Sequence, residues 1–93
     1  KHVIIDLHQN YFSSLFGLNW AIEKKLCVTR IQHHEAHLMS VIGENNLFDE
    51  KILGFIWDGT GFGHDGQIWG SECFTYDPSS IQRVFHLKYF ENI

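Results

Sequence analysis

The segment Ile52-Leu53-Gly54-Phe55-Ile56-Trp57-Asp58-Gly59-Thr60-Gly61-Phe62-Gly63-His64-Asp65-Gly66 runs from an apolar strand, through one acid, into a glycine-dense loop. Asp58 closes a buried-looking strand, at the carboxyl end where open α/β sheets place their ligand sites. The plainer reading makes it a turn acid that opens the loop. Gly61-Phe62-Gly63-His64-Asp65-Gly66 has the GxGxxG spacing of a dinucleotide fingerprint, but Gln67 to Phe74 reads as strand where a Rossmann turn needs a helix. No Lys-Ser or Lys-Thr follows, so it is no Walker loop, and no kinase catalytic segment is present. A strand–glycine loop–strand hairpin can cover phosphates with backbone N–H groups, or can simply be a turn that needs positive φ. Four glycines exceed the needs of one turn, which favours close approach to a ligand.

Upstream, His2-Val3-Ile4-Ile5-Asp6-Leu7 is a continuous apolar run closed by an acid, the pattern of a strand covered on both faces in a parallel sheet. From Tyr11 to Leu26 the period becomes helical, with Phe12, Leu15, Phe16, Leu18, Ile22 and Leu26 at three- and four-residue steps and Lys24-Lys25 near the negative pole. Cys27 to Gln32 is β-branched and reads as a second strand. His33 to Ile42 reads as a second helix, stopped around Gly43 to Asn46. After the third strand, Ile52 to Trp57, come Gln67 to Tyr76 and Gln82 to Phe90, two more strands around a turn at Asp77-Pro78-Ser79-Ser80. The expected order is β-α-β-α followed by a three-stranded meander, an α/β fold without internal repeats or linkers.

Composition narrows the function. The 93 residues carry 7 Lys+Arg against 11 Asp+Glu, a net charge of −4, which excludes a strongly basic nucleic-acid binder. A chain that is 44% hydrophobic and 15% aromatic with one Pro can bury a core and is not expected to be disordered. No run approaches the ~18–20 apolar residues of a membrane span, and no secretory signal is present. Cys27 and Cys73 are too few and too distant for a metal clip or a disulfide scaffold, so both are expected to be buried thiols in a reducing, cytoplasmic setting. A start at Lys1 and an end at Phe90-Glu91-Asn92-Ile93 point to a piece of a longer protein. Cut between its sheets, such a piece is expected to expose apolar strand edges.

Seven histidines is a high count, and three fall within five positions. On a helix, His33 and His37 differ by about 40° and share a face, as two ligands of one metal ion do. They can equally be half-exposed residues near a helix start. His34 points about 100° away and suits a third ligand poorly. His34-Glu35-Ala36-His37-Leu38 fails the HExxH zincin motif at Leu38. Two imidazoles leave a metal underbound, and Asp58 is the natural carboxylate to join them. Asp6 and His8 end the first strand; they line the same cleft or cap the following helix. Trp57 and Trp69 flank the glycine loop as core residues.

Asp6-Leu7-His8-Gln9-Asn10-Tyr11, Gln32-His33-His34-Glu35-Ala36-His37, and Asp58-Gly59-Thr60-Gly61-Phe62-Gly63-His64-Asp65-Gly66-Gln67-Ile68-Trp69-Gly70-Ser71-Glu72 together resemble the HypF carbamoyltransferases of hydrogenase maturation, relatives of the tRNA threonylcarbamoyladenosine transferases. Gln9 stands where that family usually has Pro, Phe62 where Tyr is common and Ser71 where Gly is common. The resemblance implies an actin-like ATPase (ribonuclease H-like) fold, of which this chain spans the junction of two subdomains, residues 1–47 and 48–93. It makes His33 and His37 metal ligands and Asp58 an acid at that metal and at the chemistry, with a further acidic ligand from a segment absent here. It brings Gly59, Thr60, Gly61 and Gly63 near nucleotide phosphates.

The implied reaction moves a carbamoyl group from carbamoyl-adenylate, made elsewhere from carbamoyl phosphate and ATP, to the C-terminal cysteine of a HypE-type acceptor. Dehydration there leads to the cyanide ligands of nickel-iron hydrogenase. The residues accommodate that chemistry, since a metal (iron or zinc) polarises acyl-adenylate oxygens and backbone donors hold charge. The rivals are an O-carbamoyltransferase acting on a small-molecule hydroxyl, a non-catalytic metal- or nucleotide-binding module, and an inactive truncated product.

Overall fold

The computed structural model describes residues 1–58 and 60–88. Gly59 lies outside them, as do Tyr89 and Phe90 of the expected last strand. The order is β1 (His2–Asp6), α1 (Phe12–Lys24), β2 (Cys27–Ile31), α2 (His33–Glu44), β3 (Ile52–Ile56), β4 (Gly61–Phe62), β5 (Ile68–Trp69), β6 (Glu72–Asp77) and β7 (Ser80–His86). The chain is mixed α/β, as expected. Among the described residues no helix is long and apolar enough to cross a membrane.

β1 and β2 pair in parallel, with Asp6 opposite Ile31. That register sets the end of β1 beside the start of α2. α1 makes the crossover and packs on β1, but not through the expected apolar stripe. Its buried residues are Ser14 and Ala21, while Phe12, Leu15, Phe16 and Ile22 stand exposed. Small residues face the sheet because the helix lies close: a Cβ on Gly17 would meet Ile5 Cγ2 at 2.7 Å. The other face of β1 is also open, with Ile4 67% exposed, so its apolar run is not covered on both sides.

Both helices end in Schellman motifs. Leu26 N–H donates to the Ala21 carbonyl and Lys25 N–H to that of Ile22, and Leu47 and Asn46 repeat the pattern on Ile42 and Gly43. Lys25 and Asn46 take the left-handed positions, at φ 55° and 54°. That conformation costs a side-chain-bearing residue about 1 kcal/mol. Lys25→Gly is therefore expected to stabilise the end of α1 by roughly 0.5–1 kcal/mol, read as slower hydrogen exchange of its last-turn amides. Faster exchange would show that the Lys25 side chain contributes more than the strain costs.

The core lies between α2 and an antiparallel sheet ordered β3-β6-β7. Leu38, Ile42, Trp69 and Phe74 are its buried centre. Gly54 lets α2 approach β3, since a Cβ there would meet Leu38 Cδ1 at 2.5 Å. The expected strand from Gln67 to Tyr76 is broken in two. Ser71 takes φ 59°, and the turn at Gly70-Ser71 separates β5, which pairs with β4 in its own hairpin, from β6, which pairs with β3. β6 and β7 meet at Asp77-Pro78-Ser79-Ser80. There the Ser79 hydroxyl and amide hold the Asp77 carboxyl below its ordinary value, a support present at neutral pH and lost as acid protonates it.

Trp69 is core, but Trp57 is 73% exposed beyond the end of β3. Cys73 is buried as expected. Cys27 is not, because it opens β2 at the margin of a two-stranded sheet.

Candidate metal centre

Gln32 caps α2, its side-chain oxygen accepting the Glu35 N–H. The first turn and its successor then present His33 and His37 together, with ring centroids 4.8 Å apart and Nε2 atoms at 3.2 Å. Asp58 follows β3 and brings Oδ2 to 2.7 Å from His33 Nε2 and 3.5 Å from His37 Nε2. These three residues form a group able to hold a metal ion.

The donors fit such an ion. Donors at about 2.1 Å from one tetrahedral metal sit about 3.4 Å from each other, close to the 3.2 and 3.5 Å separations of His37 Nε2, while His33 Nε2 and Asp58 Oδ2 stand closer at 2.7 Å. On the opposite side of its ring, His33 Nδ1 faces Asp6 Oδ2 at 2.8 Å, and a neutral ring that donates there offers the Nε2 lone pair to the cluster. Asp58 Oδ2 is buried and has no hydrogen-bond partner among the described residues. Its approach to His33 thus lacks hydrogen-bond alignment. A carboxylate oxygen this close to an imidazole nitrogen calls for a cation there, either a proton on Nε2 that makes the contact an ion pair or a metal ion between the two atoms. Imidazole with carboxylate suits zinc or iron.

Asp6 joins the site through His33, while its Oδ1 accepts the His8 N–H at 2.8 Å. His8 itself does not join the ligand group. It stacks on Tyr11 at 4.3 Å, lies against Phe62 at 5.4 Å, and accepts the Asn10 N–H. Of the glycine-loop candidates, Thr60 is exposed. Gly61 and Gly63 are buried where another group presses close: a Cβ on Gly61 would meet His34 at 2.7 Å, and one on Gly63 would run into the Trp69 indole. Gly59 lies outside the described residues. Beside the cluster a 540 Å³ groove runs between α2 and β3, lined by His37, Leu38, Val41, Phe55, Trp57 and Asp58.

The sequence placed Asp6 in the cleft without its role, and treated His34 only as a poor ligand. The parallel β1–β2 pairing held the signal for Asp6, because it aligns the end of β1 with the residues that open α2. Replacing Asp6 by Asn keeps the shape but loses the charged acceptor on Nδ1. Metal affinity is expected to fall about 10- to 100-fold, measured by competition with a chromogenic chelator. Unchanged affinity would reduce Asp6 to a cap on the turn at His8.

Comparisons with known proteins follow the same lines. The family model described as HypF Kae1-like domain matches residues 1–44, and that described as Carbamoyltransferase, Kae1-like Domain, second subdomain matches residues 54–93. The chain belongs to the HypF family. It is 41% identical over 90 residues to the carbamoyltransferase HypF of Synechocystis, covering 97% of this chain and 11% of that one. It is 35% identical over 88 residues to the HypF of Rhodobacter capsulatus, covering 92% and 12%. Among solved structures, the crystal structure of T. kodakarensis HypF superposes with a TM-score of 0.85 at 34% identity, over 94% of this chain and 11% of that one. A crystal structure of full-length HypF in the phosphate- and nucleotide-bound form gives 0.79 at 42% identity, over 95% and 11%. The chain thus spans about a tenth of the length of these HypF relatives.

Proposed function

We propose that this chain supplies the metal-binding part of the carbamoyl-transfer site of a HypF-type enzyme. The observation that carries the reading is the convergence of His33 Nε2, His37 Nε2 and the hydrogen-bond-orphaned Asp58 Oδ2. In this reading residues 1–47 close one actin-like subdomain and residues 48–93 open the next, with the site at their junction. The exposed apolar side chains of α1 and β3 are surfaces for the remainder of a HypF polypeptide. A further acidic ligand comes from outside this chain.

His33, His37 and Asp58 hold a divalent ion, iron or zinc, which when bound supplies Lewis-acid polarisation of the oxygens of carbamoyl-adenylate. Asp6 keeps the proton on His33 Nδ1, so that Nε2 remains a donor atom. The backbone around the exposed Thr60, with Gly59 before it, offers N–H groups to the nucleotide phosphates, whereas the Gly63 N–H is donated to the Gln67 carbonyl and closes the hairpin beside them. The groove beside His37 and Asp58 admits the acceptor. The acceptor thiolate attacks the carbamoyl carbon, the carbon–oxygen bond to the phosphate breaks, and AMP leaves with the electron pair. The thiol comes from a HypE-type partner, since Cys73 is buried and neither cysteine enters the cluster. This chemistry belongs to a cytoplasmic enzyme.

The test uses a full-length HypF chain carrying this segment, with carbamoyl phosphate, ATP and a HypE-type acceptor. Radiolabelled carbamoyl is expected on the acceptor's C-terminal cysteine, with one AMP released per transfer. Label on a small-molecule hydroxyl instead would favour the O-carbamoyltransferase. Bound metal without transfer to either acceptor would make the segment a binding module.

A further inference from the structure

His34 sits between the two ligand histidines in sequence and takes no part in the cluster, yet it is fully buried. Its hydrogen bonds form a closed circuit. The Glu35 backbone N–H can only donate, so the atom of Gln32 facing it at 3.0 Å is Oε1. Gln32 Nε2 is then fixed on the other side, at 3.1 Å from His34 Nδ1 and 3.4 Å from the Phe62 carbonyl. An amide N–H facing Nδ1 requires a lone pair there. The imidazole hydrogen therefore lies on Nε2, which donates to the Asp58 carbonyl at 3.0 Å. The same carbonyl accepts the Ser71 N–H at 3.2 Å. Both lone pairs of that oxygen are used, one by α2 and one by the start of β6.

We propose that His34 is a positioning residue of the metal centre: Gln32 fixes its Nε2–H tautomer, and the ring holds the Asp58 backbone so that the Asp58 carboxylate faces His33 and His37. The geometry leaves little slack. Of the three residues in the group, Asp58 alone comes from outside α2, and glycine-rich sequence follows it directly. A peptide plane clamped at its carbonyl limits the directions open to the side chain. The absent Cβ of Gly61 belongs to the same device, because a methyl group there would press on His34 Cε1 and Nδ1, both 2.7 Å away. Buried, fully satisfied polar circuits of this kind specify one arrangement.

The inference rests on the metal reading proposed above, and the test separates the two. Full-length HypF carrying this segment is stripped of metal and titrated with Co²⁺, following both affinity and the visible d–d bands. His34→Phe fills the space but donates nothing, and is expected to weaken Co²⁺ binding roughly 30-fold and to alter the bands as the carboxylate turns away. His34→Gln can place an oxygen toward Gln32 and an N–H toward the Asp58 carbonyl, and is expected to stay within about threefold of wild type with its spectrum. Gly61→Ala pushes the ring without removing it, with an expected loss of about tenfold; this variant decides the matter where His34→Phe fails to fold. Folded His34→Phe and Gly61→Ala proteins that bind Co²⁺ like wild type would overturn the proposal, as would a folded His34→Gln as weak as His34→Phe. If wild type binds no Co²⁺, or His37→Ala binds it equally well, the metal reading itself falls and the proposal with it.

Discussion

Replacing His33 and His37 together by Ala in a full-length HypF chain carrying this segment is expected to take bound metal from near one per chain to background. Each removal deletes a donor, and Asp58 with one further acid cannot hold a borderline divalent ion against water and buffer. Carbamoyl transfer is expected to fall about 1,000-fold or more, since roughly 4 kcal/mol of Lewis-acid stabilisation is lost at the reacting oxygens. The fold should survive. Both side chains are partly exposed, at 30% and 55%, and neither belongs to the apolar core. Metal content by mass spectrometry and transfer to the acceptor are measured on one preparation. A variant that keeps both would leave the two histidines as ordinary residues of a helix start.

The second large effect concerns the sheet that supports the glycine hairpin. Glu72 is 2% exposed, and Arg83 meets its carboxylate through two nitrogens, at 2.7 and 3.1 Å. The same guanidinium lies 3.7 Å from the centre of the Trp69 ring. Trp69 in turn donates its indole N–H to Asp65 Oδ1 at the tip of the β4–β5 hairpin. One buried pair thus ties β6 and β7 to the loop beside the candidate site. Arg83→Met keeps the bulk over Trp69 but strands a buried carboxylate, and is expected to cost about 3–5 kcal/mol. Adding Glu72→Met should recover most of that loss, because the penalty is the uncompensated charge rather than the missing attraction. Hydrogen exchange of β6 and β7 amides in the full-length chain reads both variants. A double variant as unstable as the single one would mean that packing, not charge, is at stake.

Much of this was legible in the residues. The strand before Asp58 and the helix before Gly43 follow from apolar run length and period, and the HxxxH spacing fixes which two histidines share a face. The strand–glycine loop–strand reading holds for β3 and β6, which pair, but not for the short β4–β5 hairpin, whose first strand lies inside the expected loop. The division of Gln67 to Tyr76 was not, because it depends on the positive φ of Ser71, a conformation no propensity assigns to serine. The apolar residues of α1 showed the right period but misled about the packed face. Phe12, Phe16 and Ile22 stand exposed, while Gly17 makes the close approach to β1 and Ala21 is buried. In a chain spanning about a tenth of its relatives' length, an apolar period marks surfaces to be covered as well as the core at hand. The roles of Asp6 and His34 depended on tertiary placement: one needs the β1–β2 register and the other the return of the chain at Asp58.

The most direct test of the metal centre is X-ray absorption at the metal edge of a full-length HypF chain carrying this segment. A metal held by His33, His37 and Asp58 gives a first shell of nitrogen and oxygen at about 2.0–2.2 Å, with multiple scattering from two imidazoles, and the His33→Ala, His37→Ala variant gives a metal edge at background. A shell dominated by sulfur, or one in which imidazole scattering survives the double substitution, would contradict it.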